Sequence, residues 1–166
     1  MPTVAASIYV EAPREVVWDV ISDMRRYPEW IHFVREVFDV SGEPMEKGTT
    51  YRERAKLGPF ESVSTWEVID CARPERQVHT GRMPEGEVEL RIRFRAEGSG
   101  THWDQEMDLR MLPRVRPLGW LLERLVVRRK MQADLRRILE SGKALAEREH
   151  GLGGREARGS QQERNG

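Results

Sequence analysis

The segment Tyr51-Arg52-Glu53-Arg54-Ala55 alternates strictly, so Glu53 shares one strand face with Tyr51 and Ala55. A carboxyl enclosed on such a face loses hydration in its charged form. Its pKa rises, which suits it to act as a general acid or base. No catalytic residue is fixed by the sequence, but Glu53 and the hydroxyl of Tyr51 are the candidates. The competing reading makes Glu53 one half of an ion pair with an arginine at a cavity mouth. Gln105 stands between Trp103 and Met107 on an otherwise apolar stripe. A buried amide left unpaired costs about 1–3 kcal/mol, so Gln105 requires a partner: a ligand, a cavity water or another side chain. Arg128 and Gln132 interrupt a helical apolar line between Leu125 and Leu135. A guanidinium there would grip a carboxylate or phosphate at two points. Alternatively, the helix turns these long side chains outward.

Around these polar positions lies a set of large apolar residues: Trp30, Phe33, Tyr51, Trp66, Trp103, Met107, Leu121 and Leu125. Binding pockets are mostly apolar with a few placed polar groups, so these residues are expected to line a pocket or, equally, to fill a core. The four histidines, His32, His79, His102 and His150, show no metal-ligand spacing with acidic residues or cysteine, and no metal is expected. Gly151-Leu152-Gly153-Gly154 lacks the flanking strand and helix of a phosphate loop, and nothing else calls for a cofactor. The single cysteine, Cys71, rules out an internal disulfide and agrees with a cytoplasmic setting.

The elements that must position these groups can be read from periodicity. Val4, Ala6, Ile8 and Val10 alternate as a first strand. Pro13 suits the first position of a helix whose apolar face is Val16, Val17, Val20 and Ile21, and a short helix or turn follows from Arg25 to Trp30. Six strands then follow, at Val34–Val40, Thr49–Leu57, Phe60–Ile69, Gln77–Thr80, Glu87–Arg95 and Thr101–Met111, separated by glycine- and proline-rich turns. A two-residue Gly98-Ser99 turn would pair Phe94 with Trp103, Ile92 with Gln105, Leu90 with Met107 and Val88 with Leu109. The same count across Gly58-Pro59 pairs Tyr51 with Trp66 and Glu53 with Ser64. Both registers put the apolar residues on one face, and a one-residue slip would scramble that. The facing of Gln77–Thr80 stays open. A long helix is expected from Leu118 to about Ala146, with Leu135, Ile138, Leu139, Gly142 and Leu145 turned inward. The rest, rich in glycine and charge, is expected to be disordered.

Composition bounds what such a chain does. With 28 basic and 28 acidic side chains the formal net charge is zero, which gives no electrostatic footprint for nucleic acid. No apolar run approaches the roughly 20 residues that span a bilayer. The basic residues Arg124, Arg128, Arg129 and Lys130 near Trp120 could dock on a membrane surface, but Glu123 and Asp134 dilute them, and a solvated helix face is the favoured reading. Oligomeric state is not legible.

Taken with Ala12-Pro13-x-x-Val16-Val17-Trp18, Asp23-x-x-x-Tyr27-Pro28-Glu29-Trp30, Gly48-Thr49, Arg73-Pro74-Glu75-Arg76, Gly100-Thr101 and Leu135-x-x-Ile138-Leu139, this order resembles the START-like helix-grip (SRPBCC) superfamily, which includes polyketide cyclase/dehydrase-like and coenzyme Q-binding proteins. The resemblance implies an α+β fold. Its seven-stranded antiparallel curved sheet wraps a long C-terminal helix, with two short helices between strands 1 and 2. It also implies a ligand-binding domain over residues 1–147 and a tail at 148–166, outside the domain. The expected partner is a small hydrophobic molecule, polyketide-like, isoprenoid or lipid, held between sheet and helix. Because such folds host enzymes and binders alike, a cyclase or dehydrase using a cavity acid/base group and a non-catalytic regulatory protein both stay open.

Overall fold

The computed structural model describes the backbone of residues 3–57, 59–84, 86–111 and 120–164, and the side chains of these except 57, 60, 111, 120–127, 152 and 154–164. Strand β1 (Thr3–Val10) leads into helix α1 (Arg14–Ile21), a 3-10 turn (Met24–Arg26) and the one-turn helix α2 (Tyr27–Trp30). Strands β2 (Val34–Phe38), β3 (Thr50–Leu57), β4 (Phe60–Ala72), β5 (Arg76–Met83), β6 (Gly86–Glu97) and β7 (Gly100–Met111) follow, and α3 (Trp120–Arg164) closes the chain. All strand pairs are antiparallel, in the order β1-β7-β6-β5-β4-β3-β2. This is the helix-grip arrangement expected.

Both hairpin registers are as counted. Phe94 faces Trp103, Ile92 faces Gln105, Leu90 faces Met107 and Val88 faces Leu109. Gly98 carries the positive φ of +59° that the tight turn demands. Across the other hairpin Tyr51 faces Trp66 and Glu53 faces Ser64. The apolar partners form the inner face. Ion pairs occupy the outer one, such as Arg91–Glu106 at 2.9 Å, Arg91–Asp108 at 2.8 Å and Arg95–Asp104 at 2.8 Å.

Several boundaries differ from expectation: β2 ends at Phe38 rather than Val40, and β4 runs to Ala72 rather than Ile69. Pro13 precedes α1 as its cap residue rather than opening it. Strand β5 has eight residues, not four, because it continues in register with β6 as far as Met83 opposite Gly86. Helix α3 runs on to Arg164, well past Ala146. Its start near Leu118 falls outside the described residues.

Helix α3 does two things for the sheet. Leu135, Ile138, Leu139 and Leu145 are buried against it, each worth about 1.5–3 kcal/mol over exposure. Gly142 allows the closest approach: a Cβ there would lie 2.8 Å from the Trp103 ring and 3.0 Å from Ile21. Polar side chains of α3 also cover the otherwise open edge of β1. Gln132 donates to the Ala5 carbonyl at 2.7 Å, Lys143 donates to the Tyr9 carbonyl at 2.7 Å, and Glu147 accepts from the Glu11 amide at 2.7 Å. An edge strand so covered no longer offers a template for another chain.

Candidate functional site

The inner face has two parts. Toward the second half of α3, Trp103 packs edge-on against Trp30 at 5.8 Å and tilted against Phe94 at 5.9 Å, and Phe94 meets Trp18 edge-on at 5.9 Å. All four are buried. Further along the sheet, on β3, β4 and β5, polar groups are buried among the apolar ones: Tyr51, Glu53, Ser64, Gln77 and His79 lie beside Ala55, Trp66 and Val68.

Strand alternation brings these groups together. Tyr51 stacks on its cross-strand partner Trp66, with ring planes 3° apart and centroids at 6.1 Å. The Trp66 indole N–H donates to Ser64 Oγ at 2.8 Å, which satisfies that ring. The Tyr51 hydroxyl lies 3.1 Å from His79 Nδ1, and His79 Nε2 lies 3.3 Å from Gln77 Oε1. With Gln77 accepting, Nε2 carries the ring proton, and Nδ1 is left to accept from the Tyr51 O–H. Burial pushes the His79 pKa down to about 4, so the ring is neutral near pH 7. Tyr51 is held well above the usual phenol range by burial first, then by nearby Tyr27 and Glu53. Tyr27 is raised by burial and by Glu53.

Glu53 is 6% exposed, and burial lifts its pKa to about 7. Near neutral pH this carboxyl exists in comparable amounts as acid and as base, the condition for proton transfer in either direction. The sequence-based placement of Glu53 on the inner face therefore holds.

Gln105 is also inward and 4% exposed, and its Oε1 has no hydrogen-bond partner among the described residues. The same is true of Gln77 Nε2, Trp103 Nε1 and Trp30 Nε1. Buried polar atoms are nearly always paired, so each of these is unusual.

The other candidates are distributed as follows. Trp66, Trp103 and Trp30 are buried, and Phe33 and Met107 are partly so, packed against the core. Arg128 is exposed, and Gln132 spends its amide N–H on the edge of β1, so neither joins the polar group on β3–β5. The side chains of Leu121 and Leu125 lie outside the described residues. Sequence reasoning did not find His79, Gln77 or Tyr27. The signal for the first two was the pairing of Gln77 with Ile92 and of His79 with Leu90 across to β6, whose inward face was already known. Among the described residues no cluster of three His, Cys, Asp or Glu could hold a metal ion, and no helix is long and apolar enough to cross a membrane.

The fold has close counterparts among solved structures. The protein TTHA0849 from Thermus thermophilus superposes with a TM-score of 0.69 at 21% identity, over 87% of this chain and 97% of that one. A START superfamily protein from Mycobacterium smegmatis gives 0.71 at 14% identity, over 88% and 97%. The di-domain ARO/CYC protein BexL of the BE-7585A biosynthetic pathway gives 0.66 at 20% identity, over 87% of this chain and 50% of that one. At these identities the likeness is one of fold. In sequence, residues 1–147 match the family described as "Polyketide cyclase / dehydrase and lipid transport". The chain is therefore a member of the polyketide cyclase/dehydrase and lipid transport family, built on the START-like helix-grip fold.

Proposed function

We propose that this protein is a cytoplasmic binder of a small hydrophobic molecule (polyketide-like, isoprenoid or lipid), held by residues 1–147 between the inner face of the sheet and α3. The observation that carries the reading is Gln105. Its buried carbonyl oxygen, on a stripe between Trp103 and Met107, has no hydrogen-bond partner among the described residues. A ligand hydroxyl donating there, beside ligand carbon packed on Trp66, would recover the cost of that orphan acceptor while burying apolar surface at about 25 cal/mol per Å². Membership in a family described by polyketide and lipid chemistry supports the same ligand classes. Native mass spectrometry of the protein purified from its own host tests it. A co-purifying mass of a few hundred daltons that leaves with organic extraction is expected. A bare polypeptide mass, together with no saturable quenching of tryptophan emission by polyketide, isoprenoid or lipid probes, overturns it.

One observation favours a second reading, a cyclase or dehydrase. Glu53, poised at about 7, shares the inner face with Tyr51 and its neutral partner His79. In such a site Glu53 takes a proton from an activated carbon or hydroxyl, and Tyr51 returns one to the departing oxygen, with the apolar walls fixing the substrate fold. Turnover unchanged in Glu53→Gln and Tyr51→Phe would remove it.

A further inference from the structure

The end of the sheet nearest the start of α1 carries a recess that this function does not use. A groove of about 670 Å³ opens where the start of α1, the β4–β5 turn and the last third of β6 meet, and its charged lining is Arg14, Glu75, Arg76, Arg93 and Arg95. Arg93 and Arg95 alternate with the inward Ile92 and Phe94, so their side chains leave from the face away from Glu53 and Gln105.

Three features distinguish the groove from ordinary arginine-rich surface. Arg76 and Arg93 stand directly opposite each other on neighbouring strands, and like charges so placed destabilise a sheet. Arg76 is compensated by Asp70 at 2.8 Å and Arg95 by Asp104 at 2.8 Å, whereas Arg93 has no ion-pair partner among the described residues. The third feature is Arg14. Its Nε is buried without a hydrogen-bond partner among the described residues, and its terminal nitrogens reach only loosely to Glu75 at 3.5 Å and Glu15 at 3.9 Å.

The geometry points to an oxyanion site: the groove binds a phosphate group, with Arg14 and Arg93 as its principal ligands. A tetrahedral anion would supply the missing acceptor for Arg14 Nε, offer a two-point contact to a guanidinium, and neutralise the opposed Arg76–Arg93 pair. A soluble phosphomonoester and a phospholipid headgroup present the same chemistry.

The test is titration of the full chain with inorganic phosphate, followed by the arginine Nε–H resonances in NMR spectra. Saturable shifts at Arg14 and Arg93 are expected, weakened about tenfold or more in Arg93→Ala and in Arg14→Gln, and unchanged in Arg110→Ala on the exposed part of β7. Shifts that fail to saturate by tens of millimolar phosphate, or that Arg93→Ala leaves intact, overturn the site. Glycerol phosphate and phosphatidic-acid vesicles then separate the sources: retention by the vesicles that needs Arg14 and Arg93 names a lipid headgroup, and binding of the soluble ester alone names a soluble ligand. A merely structural Arg93 predicts that Arg93→Ala lowers the melting temperature without phosphate. The phosphate site predicts an unchanged or raised one, since a like-charge opposition is removed.

Discussion

The two halves of the inner face solve the same packing problem in different ways. Around Trp103 the rings of Trp18, Trp30 and Phe94 interlock, and Gly142 lets α3 press directly onto them. On β3–β5 Tyr51, Glu53, Ser64, Gln77 and His79 are buried beside Ala55, Trp66 and Val68. The first half is what a core needs: dispersion contacts and burial. The second half carries a desolvation cost that packing alone does not call for. A carboxyl, an imidazole and a primary amide there suit the ligand-binding face proposed above, and the first half clamps the sheet against α3.

The largest expected effect breaks the clamp. Trp103→Ala removes the ring beneath Gly142 and should cost about 3–5 kcal/mol in urea denaturation. Trp66→Ala, on the polar half, should cost less and instead abolish ligand-dependent stabilisation. Equal stability losses for the two would erase the distinction.

Next in size is the response to pH. The folded-state pKa of Glu53 is raised from 4.5 to about 7. Its contribution to stability is therefore complete below about pH 4.5 and is lost as pH rises to about 7. His79 is lowered from 6.5 to about 4, so its contribution is complete above about pH 6.5 and is lost as pH falls to about 4. Each spans about 3 kcal/mol at most. Between these limits the two slopes oppose each other, and the wild-type curve should be nearly flat from about pH 4.5 to 6.5. Glu53→Gln should leave stability rising with pH over that window, and His79→Gln should leave it falling. Denaturation midpoints across pH check both, and parallel curves for the three proteins would contradict the burial of these groups.

A smaller effect sharpens the role of Gln105. Gln105→Leu removes an acceptor that has no partner among the described residues, so the ligand-free protein should gain about 1 kcal/mol, while ligand affinity falls about tenfold. Smallest of all, Arg128→Ala should change stability by less than about 0.5 kcal/mol and leave ligand binding unaltered, because Arg128 is exposed.

Much of this division was legible in the chain itself, and unevenly so. The Gly98-Ser99 turn and the clean alternation on either side of it determine the β6–β7 register. That register places Gln105 and Trp103 inside, and the Gly58-Pro59 hairpin does the same for Glu53. Strand β5 offers no such help. Its inward residues are Gln77 and His79, while the more apolar Val78 points the other way, so the usual rule that apolar means inside selects the wrong face. A functional surface is where that rule is expected to fail. Arg128 and Gln132 show the converse: an interruption in a helical stripe resembles a ligand contact, but at Gln132 it serves the open edge of β1.

The most direct test of the account locates the ligand. With the co-purified molecule, or a polyketide-like aromatic probe, bound to the protein, intermolecular NOEs are predicted from ligand protons to Trp66, His79 and the Gln105 side-chain amide, with none to Trp18. NOEs confined to Trp18 and Phe94, or absent from the inner face altogether, would contradict it.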